Sequence, residues 1–368
     1  MFPLVLSNGP PNSGLARVAN AGANHLRTGI PDWSIEFVDG QIQNERARLD
    51  AAHARGLRCW VWLGSLPNLP PQAGSPQEQL LTRVVNGLKG HPALGAWKGW
   101  DEPAWAAVPV AGLARAFRRI KALDPNHPVV IIQAPRGTVA ELAPYRPTFD
   151  ITGADVYPIS YPPGIHAGGA NRDISVVGDV TRKMAAAAGA KPIWTTLQIA
   201  WSGVTKPGSV PRFPTLQEER FMAYQAIVAG ARGLAFFGGH LTQVMRPADA
   251  RAGWNWTFFE QVLKPLLQEL SSTAVAPALV APTARAPVTA STKDVELTAR
   301  QSGGFLYVIA VRRGGPTSQV AFSGLPAVTG GQVLFEYVNR EFRSVAVRGG
   351  AFRDWLAPHD ARVYRFRL

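Results

Sequence analysis

Gly95-Ala96-Trp97-Lys98-Gly99-Trp100-Asp101-Glu102-Pro103 is a mostly apolar stretch that ends in two adjacent acids and a proline. It reads as a buried strand over residues 95–101 with polar chemistry at its carboxyl end. The pattern recurs on both sides. Residues 2–7, 24–28 and 58–64 read as earlier strands, and 129–133, 150–157, 192–198 and 233–238 as later ones. Helical patterns fall between them at 15–23, 45–54, 77–88, 110–123, 177–188 and 215–231, with another near 258–270. Thr215 followed three residues on by Glu218 is a capping box for the helix it opens. Strands that are apolar almost throughout are buried on both faces, as in a parallel sheet. Eight βα units in this length predict a (β/α)8 TIM barrel. A doubly wound sheet is the alternative, but no Gly-x-Gly-x-x-Gly turn follows the first strand.

After residue 270 the texture changes. An Ala, Pro, Ser and Thr-rich stretch leads to period-2 strands with Gly turns at 305–311, 318–322, 332–338, 345–347 and 362–368. The expected organisation is a catalytic barrel over residues 1–272 and a small antiparallel β-sandwich over 273–368, read as a module that packs on the barrel.

Composition narrows the function classes. Of the 368 residues, 46% are hydrophobic and 17% charged, and there are 11 Trp. Net charge is +13, yet the basic residues are scattered, without the cluster or arm of a nucleic-acid binder. An Arg-rich composition accounts for the charge, and an acidic polymer as partner is the weaker reading. No apolar run reaches the roughly 20 residues of a membrane span, and no signal sequence is read after Met1. Secretion and a cytoplasmic location both stay open. Cys59, the one cysteine, reads as a buried core thiol. The 7 His form no close-spaced pair, so no metal site or cofactor is expected. Oligomeric state is not legible.

In such barrels the active site forms at the carboxyl ends of the strands. That rule selects Asn8, Arg27, Trp62, Asp101, Glu102, Gln133, Asp155, Tyr157, Gln198 and His240. Two adjacent acids at a buried strand end repel each other, which suits a general acid of raised pKa. The plainer alternative makes Asp101 a helix cap and Glu102 a rim charge. Trp100, Trp105, Trp201, Trp254 and Trp256 also lie at or past strand ends, where flat rings can stack on sugars. Trp60, Trp97 and Trp194 read as core.

The pattern resembles the clan A glycoside hydrolases, with echoes of family 42. Asp101-Glu102-Pro103 stands where that clan has Asn-Glu-Pro on strand four. Arg27 in Asn24-His25-Leu26-Arg27 matches the clan's strand-two Arg, and Asp155-Val156-Tyr157-Pro158 matches a strand-six element of family 42. The resemblance covers about residues 1–270. It implies glycosidic-bond hydrolysis with Glu102 as acid and a carbohydrate substrate. It also implies a nucleophilic Glu at the end of strand seven, where this chain has Gln198 in Lys191-Pro192-Ile193-Trp194-Thr195-Thr196-Leu197-Gln198. An amide cannot fill that role. Either a Glu has been replaced, or Asp155 is the second catalytic carboxylate, or the barrel binds sugar without cleaving it. On the second reading Arg27, Trp62, Trp100, Asp101, Gln133, Tyr157, Gln198, Trp201 and His240 hold the substrate.

Overall fold

The computed structural model describes residues 1–7, 10–159, 169–198, 214–237, 256–336 and 342–368. Eight parallel strands close into a barrel. They are β1 (Leu4–Leu6), β2 (His25–Gly29), β3 (Arg58–Trp62), β4 (Leu94–Asp101), β5 (Val129–Gln133), β6 (Ile151–Val156), β7 (Ile193–Gln198) and β8 (Gly233–Phe237). Pairing of β1 with β8, Val5 opposite Ala235, completes the ring. Strand parity sorts the side chains. Val5, Trp60, Ala96, Val130, Ile132, Trp194 and Ala235 fill the barrel interior. Their neighbours Leu4, Leu6, Cys59, Val61, Trp97 and Leu234 face the helices. The thiol of Cys59 is buried there, which pushes its pKa up to about 12.

Trp60 and Trp194 meet edge to face inside the barrel, centroids 5.8 Å apart. Gly233 makes room for them, since a Cβ there would lie 2.7 Å from the Trp194 indole.

The outer layer includes α1 (Leu15–Asn20), α2 (Val38–His53), α3 (Pro76–Leu88), α4 (Val110–Leu123), α5 (Val139–Leu142), α6 (Val176–Ala188) and α7 (Leu216–Val228). The capping box of Thr215 and Glu218 forms at the start of α7. Helix α2 begins at Val38, well before residue 45, because Ile42 packs against Gly87 of α3.

Beyond the barrel, β9 (Thr289–Ala290), β10 (Val295–Ser302), β11 (Phe305–Arg312), β12 (Ser318–Ser323), β13 (Gly330–Leu334), β14 (Arg343–Ala346), β15 (Ala351–Leu356) and β16 (Ala361–Arg367) build two antiparallel sheets. Their orders are β10-β11-β16-β13-β14 and β15-β12-β9. Strand β11 is buried on both faces. Leu306, Val308 and Ala310 join the core between the sheets, while Tyr307, Ile309 and Val311 join the barrel core. The larger sheet therefore lies against the barrel as an extension of its hydrophobic interior. His359 and Asp173 (3.0 Å) and Arg313 and Asp179 (2.8 Å) form ion pairs across that boundary.

Candidate active site

All eight strands contribute to one cavity of about 210 Å³ at the carboxyl end of the barrel. Ser7 follows β1, Arg27 lies on β2, Trp60 on β3, Ile132 on β5, Thr196 on β7 and Phe237 on β8. Strand β4 and its extension supply Lys98, Asp101 and Glu102, and β6 and its extension supply Asp155 and Tyr157. Arg27, Asp101, Glu102, Asp155 and Tyr157, which the strand-end rule selects, thus come together.

The local geometry of β4 makes this possible. Its pairing with β5 slips by one residue between Lys98 and Asp101. Such a bulge re-aims the side chains beyond it. Lys98 and Asp101 both turn into the cavity and form an ion pair. Glu102 then adopts φ +48°, the left-handed region that non-glycine residues avoid. Strain of this kind costs about 1–3 kcal/mol and gathers at functional sites. Here the Glu102 N–H donates to the Ile132 carbonyl (2.8 Å), and its own carbonyl accepts from Ala106 N–H (3.0 Å). The turn is held from both sides, and the Glu102 side chain stays half-buried at the cavity.

Asp155 is the deeper carboxyl. It lies within hydrogen-bonding reach of both Glu102 and Tyr157. Burial first, then the charge and hydrogen bond of Glu102, push its pKa well above the ordinary carboxylate range; the Tyr157 hydroxyl, which donates to it, pulls the other way. Tyr157 is itself buried and stacked on Phe237, centroids 5.4 Å apart. Burial, then the neighbouring Asp155, raises its pKa.

Two cations complete the lining, Lys98 on β4 and Arg27 on β2. Lys98 is almost fully buried, with Nζ 5.7 Å from the Trp60 ring centroid and 5.2 Å from that of Trp62. Burial lowers its pKa, and Asp101 opposes the shift. Arg27 lies 4.9 Å over Trp62 and donates to the Ser7 carbonyl. Lys98 escapes the strand-end rule because it sits inside the strand. A lone cation in an otherwise apolar run is the signal that marks it.

Three buried polar atoms of cavity residues have no partner: Trp60 Nε1, Thr196 Oγ1 and Asp155 Oδ1. Leaving such groups unpaired is costly. A polar ligand in the cavity would satisfy them. Among the described residues no group of three or more His, Cys, Asp or Glu is arranged to hold a metal ion.

Three expected contacts are corrected. Gln198 is fully buried, and its amide is spent on the backbone of Ile159: Oε1 accepts from N–H at 2.8 Å and Nε2 donates to the carbonyl at 2.6 Å. Gln133 also faces away from the cavity, because Ile132 takes the inward position on β5. Its Oε1 accepts from Ala104 N–H (3.1 Å), bracing the segment after Glu102. Trp100 packs outward near Val108, Leu113, Ile131, Tyr145 and Phe149, since the bulge reverses its parity. Trp62 stands beside the cavity as a partner of its cations. Trp105 lies exposed just beyond Glu102 with the Arg136 guanidinium 4.7 Å over its ring. Trp256 packs under Arg17, 4.2 Å from the guanidinium. Asn8, Trp201, His240 and Trp254 lie outside the described residues.

No family model and no curated protein matches this chain. Solved structures do. A glycoside hydrolase family 5 protein from Bacteroides vulgatus aligns with TM-score 0.63 and 14% identity, over 100% of this chain and 89% of that one. An α-amylase from Geobacillus thermoleovorans, complexed with acarbose, aligns with TM-score 0.61 and 11% identity, over 97% and 91%. A GH30 endoxylanase from Clostridium papyrosolvens aligns with TM-score 0.55 and 12% identity, over 100% and 97%. At these identities the likeness is one of architecture: a closed (β/α)8 barrel followed by an antiparallel β-domain, the fold of these glycoside hydrolase structures.

Proposed function

We propose that this protein is a glycoside hydrolase in which Glu102 protonates the leaving oxygen and Asp155 keeps Glu102 supplied with that proton. The observation that carries the reading is the Glu102–Asp155 contact at the cavity where all eight strands end. Two carboxyls in contact oppose each other's ionisation, which suits one of them to act as an acid. Glu102 is the more open of the two and meets the substrate. Asp155, backed by Tyr157, is the reservoir behind it. Arg27, Lys98 and Asp101 position the sugar in a cavity that Trp60, Tyr157 and Phe237 help to wall. The exposed Trp105, three residues beyond Glu102, offers a flat ring for a leaving-group sugar. The shared architecture with an amylase and a xylanase supports a carbohydrate substrate.

The contact also refines the role of Asp155. A retaining pair of carboxyls stands roughly 5–5.5 Å apart and an inverting pair roughly 6.5–9.5 Å. Asp155 and Glu102 lie side by side in the cavity lining, and in this reading Asp155 serves the acid instead of facing it across the scissile bond.

A screen of aryl glycosides and polysaccharides with product analysis tests the reading. Release of aglycone by the wild type, lost in Glu102→Gln, supports it. The amide at Gln198 favours a second reading, a barrel that binds sugar without cleaving it. Saturable binding of an oligosaccharide without any product would establish that one.

A further inference from the structure

Resting on the glycosidase reading, we infer that the substrate carries its own nucleophile: a 2-acetamido-2-deoxy sugar in 1,2-trans linkage, with Asp101 as the group that steadies it. The first support is what the described cavity lacks. The carboxyls at the described cavity are those of Asp101, Glu102 and Asp155. Asp155 lies against Glu102 and Tyr157, on the acid's own side of the cavity. Asp101 is the next residue to Glu102 on the same strand and is tied to Lys98, so it stands beside the acid and not across the sugar from it. The strand-seven position holds a buried amide spent on backbone. The sequence segments 160–168, 199–213 and 238–255, which follow the last three barrel strands, contain one acid between them, Asp249.

The second support is what the cavity offers. Trp60, Tyr157 and Phe237 give apolar walls for an acetamido methyl group. The unpartnered Trp60 Nε1 and Thr196 Oγ1 are buried donors for the oxygens of the sugar and its amide. The Asp101 carboxylate, half-exposed beside the Lys98 ammonium, is available to an amide N–H that becomes acidic during reaction.

The step balances without another reagent. The acetamido carbonyl oxygen attacks C1 as the bond from C1 to the leaving oxygen breaks, and Glu102 gives that oxygen its proton. The resulting oxazolinium ion is cationic, and the Asp101 carboxylate stabilises its N–H. Water then attacks C1, reopens the ring and returns a proton to Glu102, giving a product of retained configuration. Substrate-assisted hydrolysis of this type replaces the protein nucleophile.

The test uses the full chain and three probes. Aryl 2-acetamido-2-deoxy-β-glucosides and -galactosides should be cleaved at least 100-fold faster than the 2-hydroxy glycosides. Stepwise fluorination of the acetamido methyl should lower kcat/KM progressively, because it weakens the carbonyl nucleophile. The bicyclic thiazoline of the cleaved sugar should bind in calorimetry, and Asp101→Asn should weaken that binding at least 10-fold. The fluorination series needs no variant, so it stands even if Asp101→Asn fails to fold. Equal cleavage of 2-hydroxy glycosides, dependent on Glu102, would overturn the inference while leaving the glycosidase reading intact. Loss of turnover in Asp249→Asn with azide rescue would also overturn it, by supplying a protein nucleophile. Absence of cleavage of either series, with no thiazoline binding, would sink both.

Discussion

Asp155 and Glu102 bring their carboxyls together at the carboxyl end of the barrel, with Tyr157 beside them. All three groups line the cavity. On the proposed reading, Asp155→Asn keeps a donor for Glu102 but removes the exchangeable proton. An amide donating to Glu102 favours its ionised form. The alkaline limb of the kcat/KM profile should therefore move to lower pH, with kcat reduced about 100-fold, the lower end of acid–base contributions. A pH–rate profile on the best aryl glycoside checks it. An unmoved limb would assign Asp155 a purely structural role.

Gln198 offers a test of the corrected strand-seven end. Gln198→Glu restores the carboxylate expected from the clan resemblance, but at a fully buried position whose Nε2 donates to the Ile159 carbonyl. The variant loses that donor and buries a carboxyl. It should be less stable by about 1–3 kcal/mol and no more active. Denaturant melts and turnover measure the two effects. A gain in activity would mean that the side chain reaches the substrate.

Gln133 should act through the segment it braces. Gln133→Ala frees Ala104 N–H and loosens the turn that presents Glu102. The expected loss is in kcat, about 10-fold, with KM little changed and a stability cost of about 1 kcal/mol. A change confined to KM would return Gln133 to the substrate contacts.

Two buried groups outside the cavity set the pH dependence of stability. Burial lowers the pKa of His25 from 6.5 to about 4, with Asn24 Oδ1 2.7 Å from its Nδ1. The unfolded chain then binds the proton more tightly than the folded one. Stability should fall by about 3 kcal/mol as pH drops from 6.5 to about 4, and His25→Asn should remove that fall. Glu219 has the opposite sign. It is fully buried with both oxygens unpartnered, and burial, then Glu218, raises its pKa. The folded chain keeps that proton longer, so stability should decline as pH rises above the ordinary carboxylate range. Glu219→Met should flatten the decline and add about 1–3 kcal/mol near pH 8. Thermal melts across pH read both.

Much of this was legible in the sequence because parallel strands buried on both faces announce themselves as apolar runs. All eight barrel strands fall where those runs lie, and β5 (Val129–Gln133) and α4 (Val110–Leu123) match residue for residue. Strand β15 (Ala351–Leu356) escaped notice because the charged Asp354 interrupts the apolar period on its buried face, where Arg343 and Tyr364 hold it. Choosing strand ends selected Arg27, Asp101, Glu102, Asp155 and Tyr157, which line one cavity. It failed where parity matters. Trp100 and Gln133 lie at strand ends yet point outward, one through the β4 bulge and the other because Ile132 points in. Lys98 was hidden inside its strand. A bulge shifts every side chain beyond it to the other face, and nothing in the local sequence declares one.

The central claim is that Glu102 is the acid of a glycosidase, and leaving-group dependence tests it most directly. Turnover of wild type and Glu102→Gln should be compared on two aryl glycosides of the same sugar, one with a poor leaving group and one with a strongly activated phenolate. If Glu102 protonates the leaving oxygen, the variant should lose about 10³-fold on the first and far less on the second, which departs without a proton. Equal loss on both, or no loss on either, would contradict the account.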